Sequence, residues 1–452
     1  MERFGSSGAR GRVDTELTPS VVVHIAQAAV TEWTASRVAI GRDVRVTGES
    51  LEAAVITGAT AAGASVETLG VLPTPAVQAY ADHESIPAIM VTASHNPPPD
   101  NGIKLIDADG GEVSVPVYEA VESRLDSGDH RPVSWREFGG VRRVEGAIRR
   151  YVERISDDLD VGLISDAGLR IVVDAGNGAG GESTPTLCRD LGCEVVTLNA
   201  QPDGHFPGRP SEPVPDALED LATMVTATGA DLGVAHDGDA DRAIFVDELG
   251  TIVDGGASLS ALAAAVTEPD DTIVAAITAP SSLGRVADDL GARLELTKVG
   301  AVNVLTRVRE LQDSDESVAI AGEQNGGIIV PPFGLARDGA YALGMMLELV
   351  AEQPLSEVVA PYRDRAFRRR DITLETVGPT SALIDQARDW ASRLDASVTE
   401  TDGIRADFAD RWVLIRPSGT EPLMRVYAEA PTTAAADSLI DEVVDAVFTA
   451  DA

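Results

Sequence analysis

A chain of 452 residues, 44% of them hydrophobic, is long enough for about three ordinary domains with real cores. Its formal charge is −37, from 36 basic and 73 acidic residues spread along the sequence with no acidic tail, and this excludes the basic footprint that nucleic acid or an anionic membrane requires. The longest apolar runs fall far short of the ~20 residues a bilayer span needs, and Met1-Glu2-Arg3-Phe4-Gly5 opens no apolar signal segment, so a cytoplasmic protein is expected. So acidic a surface also fits adaptation to high salt, where carboxylates stay solvated and their repulsion is screened. Cys188 and Cys193 flank a helix-to-strand junction and are expected to be buried free thiols.

Three rounds of alternating strand and helix come first. The opening round runs from a strand at Val38-Ala39-Ile40 through a helix over 48–63, a strand near 66–69 and a helix after Pro73-Thr74-Pro75. It ends on the apolar run Ala88-Ile89-Met90-Val91. The second begins at Leu169–Val173, passes through a helix over 182–191 to a strand at Val195–Leu198, and ends at Asp231–Ala235. The third covers a strand at 272–277, a helix after Pro280, a strand at 294–296, another helix and a strand at 318–320. Such βαβ rhythm predicts mostly parallel sheets. An arginine cluster (Arg363, Arg365, Arg368, Arg369, Arg370) then marks a junction paired with carboxylates. Beyond it come a strand, a helix over 380–394, strands at 404–408 and 412–415, and a final helix from Thr432.

Open α/β sheets bind ligands outside the carboxyl ends of their strands, and four polar loops stand at such ends. The first, Thr92 to Lys104, contains Ser94, His95, three prolines and Asn101-Gly102, a composition that predicts a stiff irregular loop presenting the Ser94 hydroxyl. Only two lysines, Lys104 and Lys298, stand among the 36 basic residues, and a chain that otherwise uses arginine has a reason to keep an ammonium there. The second loop, Asp237-Gly238-Asp239-Ala240-Asp241-Arg242, puts carboxylates at every other residue and suits magnesium completed by a phosphate oxygen. In the third, Glu323 and Asn325 sit on a glycine frame that can meet the hydroxyls of a sugar. The fourth, Arg416-Pro417-Ser418-Gly419-Thr420-Glu421-Pro422, makes a phosphate cradle. Gly176-Asn177-Gly178-Ala179-Gly180-Gly181 matches a dinucleotide fingerprint, but Asn199-Ala200-Gln201 stands where the confirming acid belongs; a tight strand-to-helix turn is expected instead.

With its loops in this order, and with Phe4-Gly5-Ser6-Ser7-Gly8-Ala9-Arg10-Gly11 and Gly41-Arg42-Asp43 before them, the chain resembles the α-D-phosphohexomutase family over nearly its whole length. The resemblance implies three similar mixed or parallel-sheet α/β domains and a C-terminal α+β domain resembling the TATA-binding-protein fold, at 1–146, 147–250, 251–366 and 367–452. It implies that Ser94 is the phosphorylated serine and that Asp237, Asp239 and Asp241 hold Mg²⁺ with that phosphate. Lys104 matches a general acid or base, and Arg10 and Arg242 match active-site arginines beside His95. Glu323, Asn325 and Lys298 fall on the sugar side; Arg416, Ser418, Gly419 and Thr420 fall on the substrate-phosphate side. Many members carry Ser-Gly-His where this chain has Asn325-Gly326-Gly327, so an imidazole is missing and Asn325 must do the serine's work.

The activity implied is interconversion of hexose 1- and 6-phosphates through phosphorylated Ser94 and a hexose 1,6-bisphosphate, with mannose or glucose as the sugar and glucosamine as the alternative. Lys104, lowered in pKa by Arg10 and the metal, would move the hydroxyl's proton. Competing readings are a metal-dependent phosphatase and a sugar-phosphate binder without chemistry. The expected partner is the small hexose phosphate, with the chain a monomer or homodimer.

Overall fold

The computed structural model describes residues 4–5, 8–129, 133–374, 379–418 and 422–448, and its strands form four sheets in chain order. The first contains β1 (Phe4–Gly5), β2 (Gly8–Arg12), β3 (Arg37–Arg42), β4 (Ser65–Val71), β5 (Ala88–Val91), β6 (Asp100–Ile106) and β7 (Val141–Arg143). Their order is β1-β2-β6-β5-β3-β4-β7. β3, β4, β5 and β7 run parallel, as βαβ crossovers require, while β6 and β2 add an antiparallel edge. The loop expected over 92–104 is therefore shorter than its composition suggested. From Asp100 the chain is a strand, and Lys104 stands opposite Met90. Gly102 makes this possible, because a Cβ there would lie 2.3 Å from the Thr92 carbonyl oxygen and 2.9 Å from that of Ala9.

The second sheet is β8 (Arg170–Asp174), β9 (Glu194–Leu198), β10 (Leu232–Ala235), β11 (Ile244–Asp247) and β12 (Ile252–Val253), in the order β12-β11-β10-β8-β9. The third is β13 (Thr272–Ala276), β14 (Arg293–Thr297), β15 (Val318–Gly322) and β16 (Ile328–Ile329), in the order β14-β13-β15-β16. Both are parallel at one side and end in an antiparallel hairpin that carries a polar loop. The fourth, wholly antiparallel, is β17 (Ala366–Thr373), β18 (Ser397–Thr399), β19 (Ile404–Asp407), β20 (Trp412–Pro417) and β21 (Leu423–Ala430), ordered β17-β21-β20-β19-β18. β21, inside this sheet, is an element the sequence reading did not include. The class is the expected one: three mixed α/β units and an α+β unit.

The first three units are not separate bodies. One hydrophobic core runs from Ala76 and Tyr80 of the first, through Tyr151 and Ile155, to Tyr341 and Leu343 of the third. Tyr151 closes this seam by donating to Asp338 Oδ1 at 2.6 Å. The last unit keeps its own core and meets the third through Trp412, Leu414 and Tyr427 around Ile277. The arginine cluster lies at this junction, each member beside a carboxylate, as in Arg363–Asp247 and Arg370–Asp441. Cys188 and Cys193 are buried free thiols. Among the described residues no helix is long and apolar enough to cross a membrane.

Candidate active site

Beyond β5 the chain turns sharply at Ser94, whose φ of +50° is left-handed and costs on the order of 1–3 kcal/mol for a residue with a Cβ. The surroundings fix this turn. Ser94 N–H donates to Thr92 Oγ1 (2.9 Å), and the Thr92 hydroxyl donates to Asp43 (2.7 Å). Arg45, fully buried and paired with Asp43, donates to the carbonyls of Ser94, Asn96, Pro97 and Asp100 at 2.6 to 2.8 Å. A rigid guanidinium fork thus replaces the regular hydrogen bonds that the prolines deny this loop. The strained turn aims Ser94 Oγ at the second unit, where it donates to Asp237 Oδ2 at 2.5 Å.

Asp237, Asp239 and Asp241 occupy the turn from β10 to β11, all buried, each offering an oxygen within 4.8 Å of the others. The fingerprint-like glycines serve this turn. Ala179 N–H donates to the Gly238 carbonyl (3.0 Å), and a Cβ on Gly178 would stand 2.8 Å from that same oxygen. The sequence expectation of a tight turn there holds, and the reason for its small residues is close approach to the aspartate loop. Lys104 Nζ reaches Asp239 Oδ2 (2.9 Å) and Asp241 Oδ2 (2.8 Å), and the Thr74 hydroxyl donates to Asp239 Oδ2 at 2.6 Å.

Crowding sets the charges. Burial, then the neighbouring Asp241 and Asp239, push Asp237 up to about 8. Burial pushes Asp239 the same way, but Lys104 and Thr74 more than reverse it and hold it well below the carboxylate range. Asp241 is held down against burial chiefly by Arg337. Burial alone would lower Lys104; Asp239 and Asp241 outweigh it and raise the ammonium above its usual range. The share of the expected lowering assigned to Arg10 does not hold, because the nearest charged partners of Lys104 are the carboxylates of Asp239 and Asp241. The donor set suits a hard dication: the Oδ1 atoms of Asp239 and Asp241 are buried without a hydrogen-bond partner.

Around this cluster, Arg242 Nη2 donates to His95 Nδ1 at 2.9 Å, and that nitrogen also lies 3.3 Å from Ser94 Oγ. Burial and the guanidiniums of Arg242 and Arg10 push His95 far down, so it is neutral and accepts. Arg10 donates to Asn96 Oδ1 at 3.2 Å.

Glu323 faces the cluster from the third unit, its Oε1 accepting Gly300 N–H (2.9 Å) and its Oε2 3.6 Å from Arg337 Nη1. Asn325 Oδ1 accepts Gly327 N–H at 3.0 Å, which shapes the loop. Lys298 is exposed on the turn after β14. Next to it, Val299 N–H donates to Asp402 Oδ2 (3.0 Å), and the same oxygen receives Arg416 Nε (2.9 Å). The Lys298 turn therefore joins the sugar loop to the last unit. Ser418 N–H donates to the Leu423 carbonyl at 2.9 Å, while Gly419 and Thr420 lie outside the described residues. A cleft of about 700 Å³ runs between these groups, lined by Arg242, Glu323, Asn325, Val299, Arg365 and Arg368.

Arg45, Thr74 and Arg337 are parts of the site that the sequence reading did not assign. Arg45 follows Gly41-Arg42-Asp43 by two residues, and Arg337 precedes the Asp338 that caps an apolar helix; either was a findable signal. Taken together, the site places the Ser94 hydroxyl against three buried carboxylates that suit a hard dication, with Glu323 and the Arg337 guanidinium brought beside them from the third unit.

The comparisons with known proteins agree. Models of the phosphoglucomutase/phosphomannomutase α/β/α domains I, II and III match residues 1–132, 149–250 and 254–364, and that of the C-terminal domain matches 381–446. A probable phosphoglucosamine mutase of Methanopyrus kandleri is 40% identical over 98% of this chain and 97% of its own. A phosphoglucomutase/phosphomannomutase of Thermococcus kodakarensis is 37% identical over 94% of each. The crystal structure of a phosphoglucomutase/phosphomannomutase family protein from Burkholderia thailandensis superimposes with a TM-score of 0.88 at 28% identity, covering 100% of this chain and 98% of that one. The chain belongs to the phosphoglucomutase/phosphomannomutase family, the α-D-phosphohexomutases, and is a phosphohexomutase, an isomerase that relocates a phosphoryl group on a hexose.

Proposed function

We propose that Ser94 is the phosphoryl carrier and that the chain interconverts hexose 1-phosphate and hexose 6-phosphate through a hexose 1,6-bisphosphate. The observation that carries this is the 2.5 Å contact of Ser94 Oγ with the carboxylate cluster, at a turn the protein strains to make. In the first transfer the phosphorus–oxygen bond to Ser94 breaks and one to the sugar hydroxyl forms. The second transfer, after the bisphosphate has turned end for end, reverses the roles. In each the net proton movement is from the attacking oxygen to the departing one, and Lys104, whose Nζ lies between Asp239 and Asp241, would take the proton from the sugar hydroxyl as the amine and return it as the ammonium. Asp237, Asp239 and Asp241 would hold Mg²⁺, which when bound neutralises charge on the transferring phosphoryl oxygens. Glu323, Asn325 and Lys298 would receive the sugar. Arg416, Ser418, Gly419 and Thr420 would hold the phosphate that is not reacting, and Arg10, His95 and Arg242 would line the reacting one. Domains divided after residues 146, 250 and 366 would contribute one loop each, and a cytoplasmic site of action fits a substrate of this kind.

Mannose and glucose phosphates are the substrates proposed first. The name of the Methanopyrus kandleri relative favours glucosamine phosphate as the second reading. Side-by-side kinetics on the three sugars decides between them. For the carrier itself, Ser94→Ala abolishes turnover of glucose 1-phosphate with trace bisphosphate while the circular dichroism spectrum is unchanged; substantial residual isomerisation removes Ser94 from that role. Release of inorganic phosphate by the wild type without isomerisation points to the phosphatase instead.

A further inference from the structure

The space beside Gly327 is filled by a residue of another loop. A Cβ on Gly327 would stand 2.7 Å from Arg337 Cδ. The Arg337 side chain thus passes through the space that any side chain at 327 would need. Its guanidinium is buried and spans two loops from different units, with Nη2 2.5 Å from Asp241 Oδ2 and Nη1 3.6 Å from Glu323 Oε2. The backbone holds it there: Ile329 and Arg337 form a β-bridge, Asp338 N–H donates to the Ile328 carbonyl (2.9 Å), and Asp338 caps the helix Gly339–Glu352.

We propose that Arg337 is a positioning residue that occupies the place a side chain at 327 would take, ties Glu323 to Asp241 and so holds Glu323 toward the sugar hydroxyls. The inference rests on the mutase reading of this cleft. A planar fork can bridge two carboxylates at fixed separation, which a lysine's single ammonium does not. Gly327 is the other half of the exchange: the cation enters from 337 only because 327 has no side chain. Since Glu323 meets the sugar before and during transfer, loss of its support weakens binding of the sugar more than it slows the chemical step.

The test compares wild type, Arg337→Ala, Arg337→Lys, Gly327→His and the double variant Gly327→His/Arg337→Ala. Turnover of glucose 1-phosphate is measured beside calorimetric binding of glucose 6-phosphate and of inorganic phosphate. Arg337→Ala is expected to raise KM about tenfold or more with a smaller fall in kcat, to weaken glucose 6-phosphate binding alike, and to leave inorganic phosphate binding unchanged. Arg337→Lys recovers little. Gly327→His alone is impaired, and its combination with Arg337→Ala binds the sugar better than either single variant. The proposal is overturned if Arg337→Ala keeps a wild-type KM, if inorganic phosphate binding falls as far as sugar binding, or if the double variant is no better than Arg337→Ala. A wild type that binds glucose 6-phosphate but never isomerises it overturns the mutase reading instead.

Discussion

The chain's two lysines have different fates. Lys298 is exposed on the turn before Val299, while Lys104 is 2% exposed and lies between Asp239 and Asp241. Lys104→Ala is expected to cut turnover by about 10²–10⁴, the usual effect of losing a general acid or base. Lys104→Arg should not restore it, because a guanidinium does not give up its proton. Steady-state kinetics of both variants checks this, and normal turnover in either removes Lys104 from proton transfer. Ser94, the three aspartates and Lys104 itself were legible in the sequence, since each belongs to a short run with its own chemistry. The pairing of Lys104 with Asp239 and Asp241 was not, because those carboxylates lie more than a hundred residues away in the chain. Arg337 and Arg45 stood beside readable motifs, but what they hold was not legible, because Asp241, Glu323 and the carbonyls of the Ser94 loop are brought to them by the fold.

Strand β6 shows how local composition can mislead at the scale of an element. Prolines and Asn-Gly usually mark turns, yet Asn101-Gly102 lies inside a strand between β5 and β2, with Asn101 Oδ1 accepting from Gly102 N–H at 2.8 Å. The glycine is there for close approach of neighbouring carbonyls. Gly102→Ala is therefore expected to destabilise the protein by about 1–3 kcal/mol, as overpacking of a tight site does, and to displace Lys104, two residues on. Urea unfolding with parallel activity measurements checks this; an unchanged midpoint contradicts the packing argument. The βαβ elements were readable because apolar strands and turn residues alternate there. The antiparallel edges and β21 were not assigned, since their neighbours are set by which sheet they join.

At the scale of the whole molecule, three units share one core, and the fourth is held by a small apolar cluster around Ile277 together with polar bonds. Arg405 of the last unit donates to the carbonyls of Ile277 and Ala279 and stacks 4.1 Å from the Trp412 ring centroid, and Glu429 receives Ser281 N–H at 3.0 Å. Bonds to backbone carbonyls leave no trace in sequence, so this docking was not readable, whereas the charge was. A surface carrying −37 repels itself at low salt. Thermal midpoints are expected to rise between about 0.1 M and 2 M KCl, beyond the range where the screening length is already short; a flat or falling midpoint contradicts adaptation to salt.

That loops from four units grip a single phosphosugar at both ends is tested most directly by a crystal structure of Ser94→Ala soaked with Mg²⁺ and a hexose 1,6-bisphosphate. The account predicts one phosphate between residue 94 and Asp237, Asp239 and Asp241, the sugar against Glu323, and the other phosphate on Arg416 and Ser418. A ligand bound away from these side chains, or with both phosphates on one wall of the cleft, contradicts it.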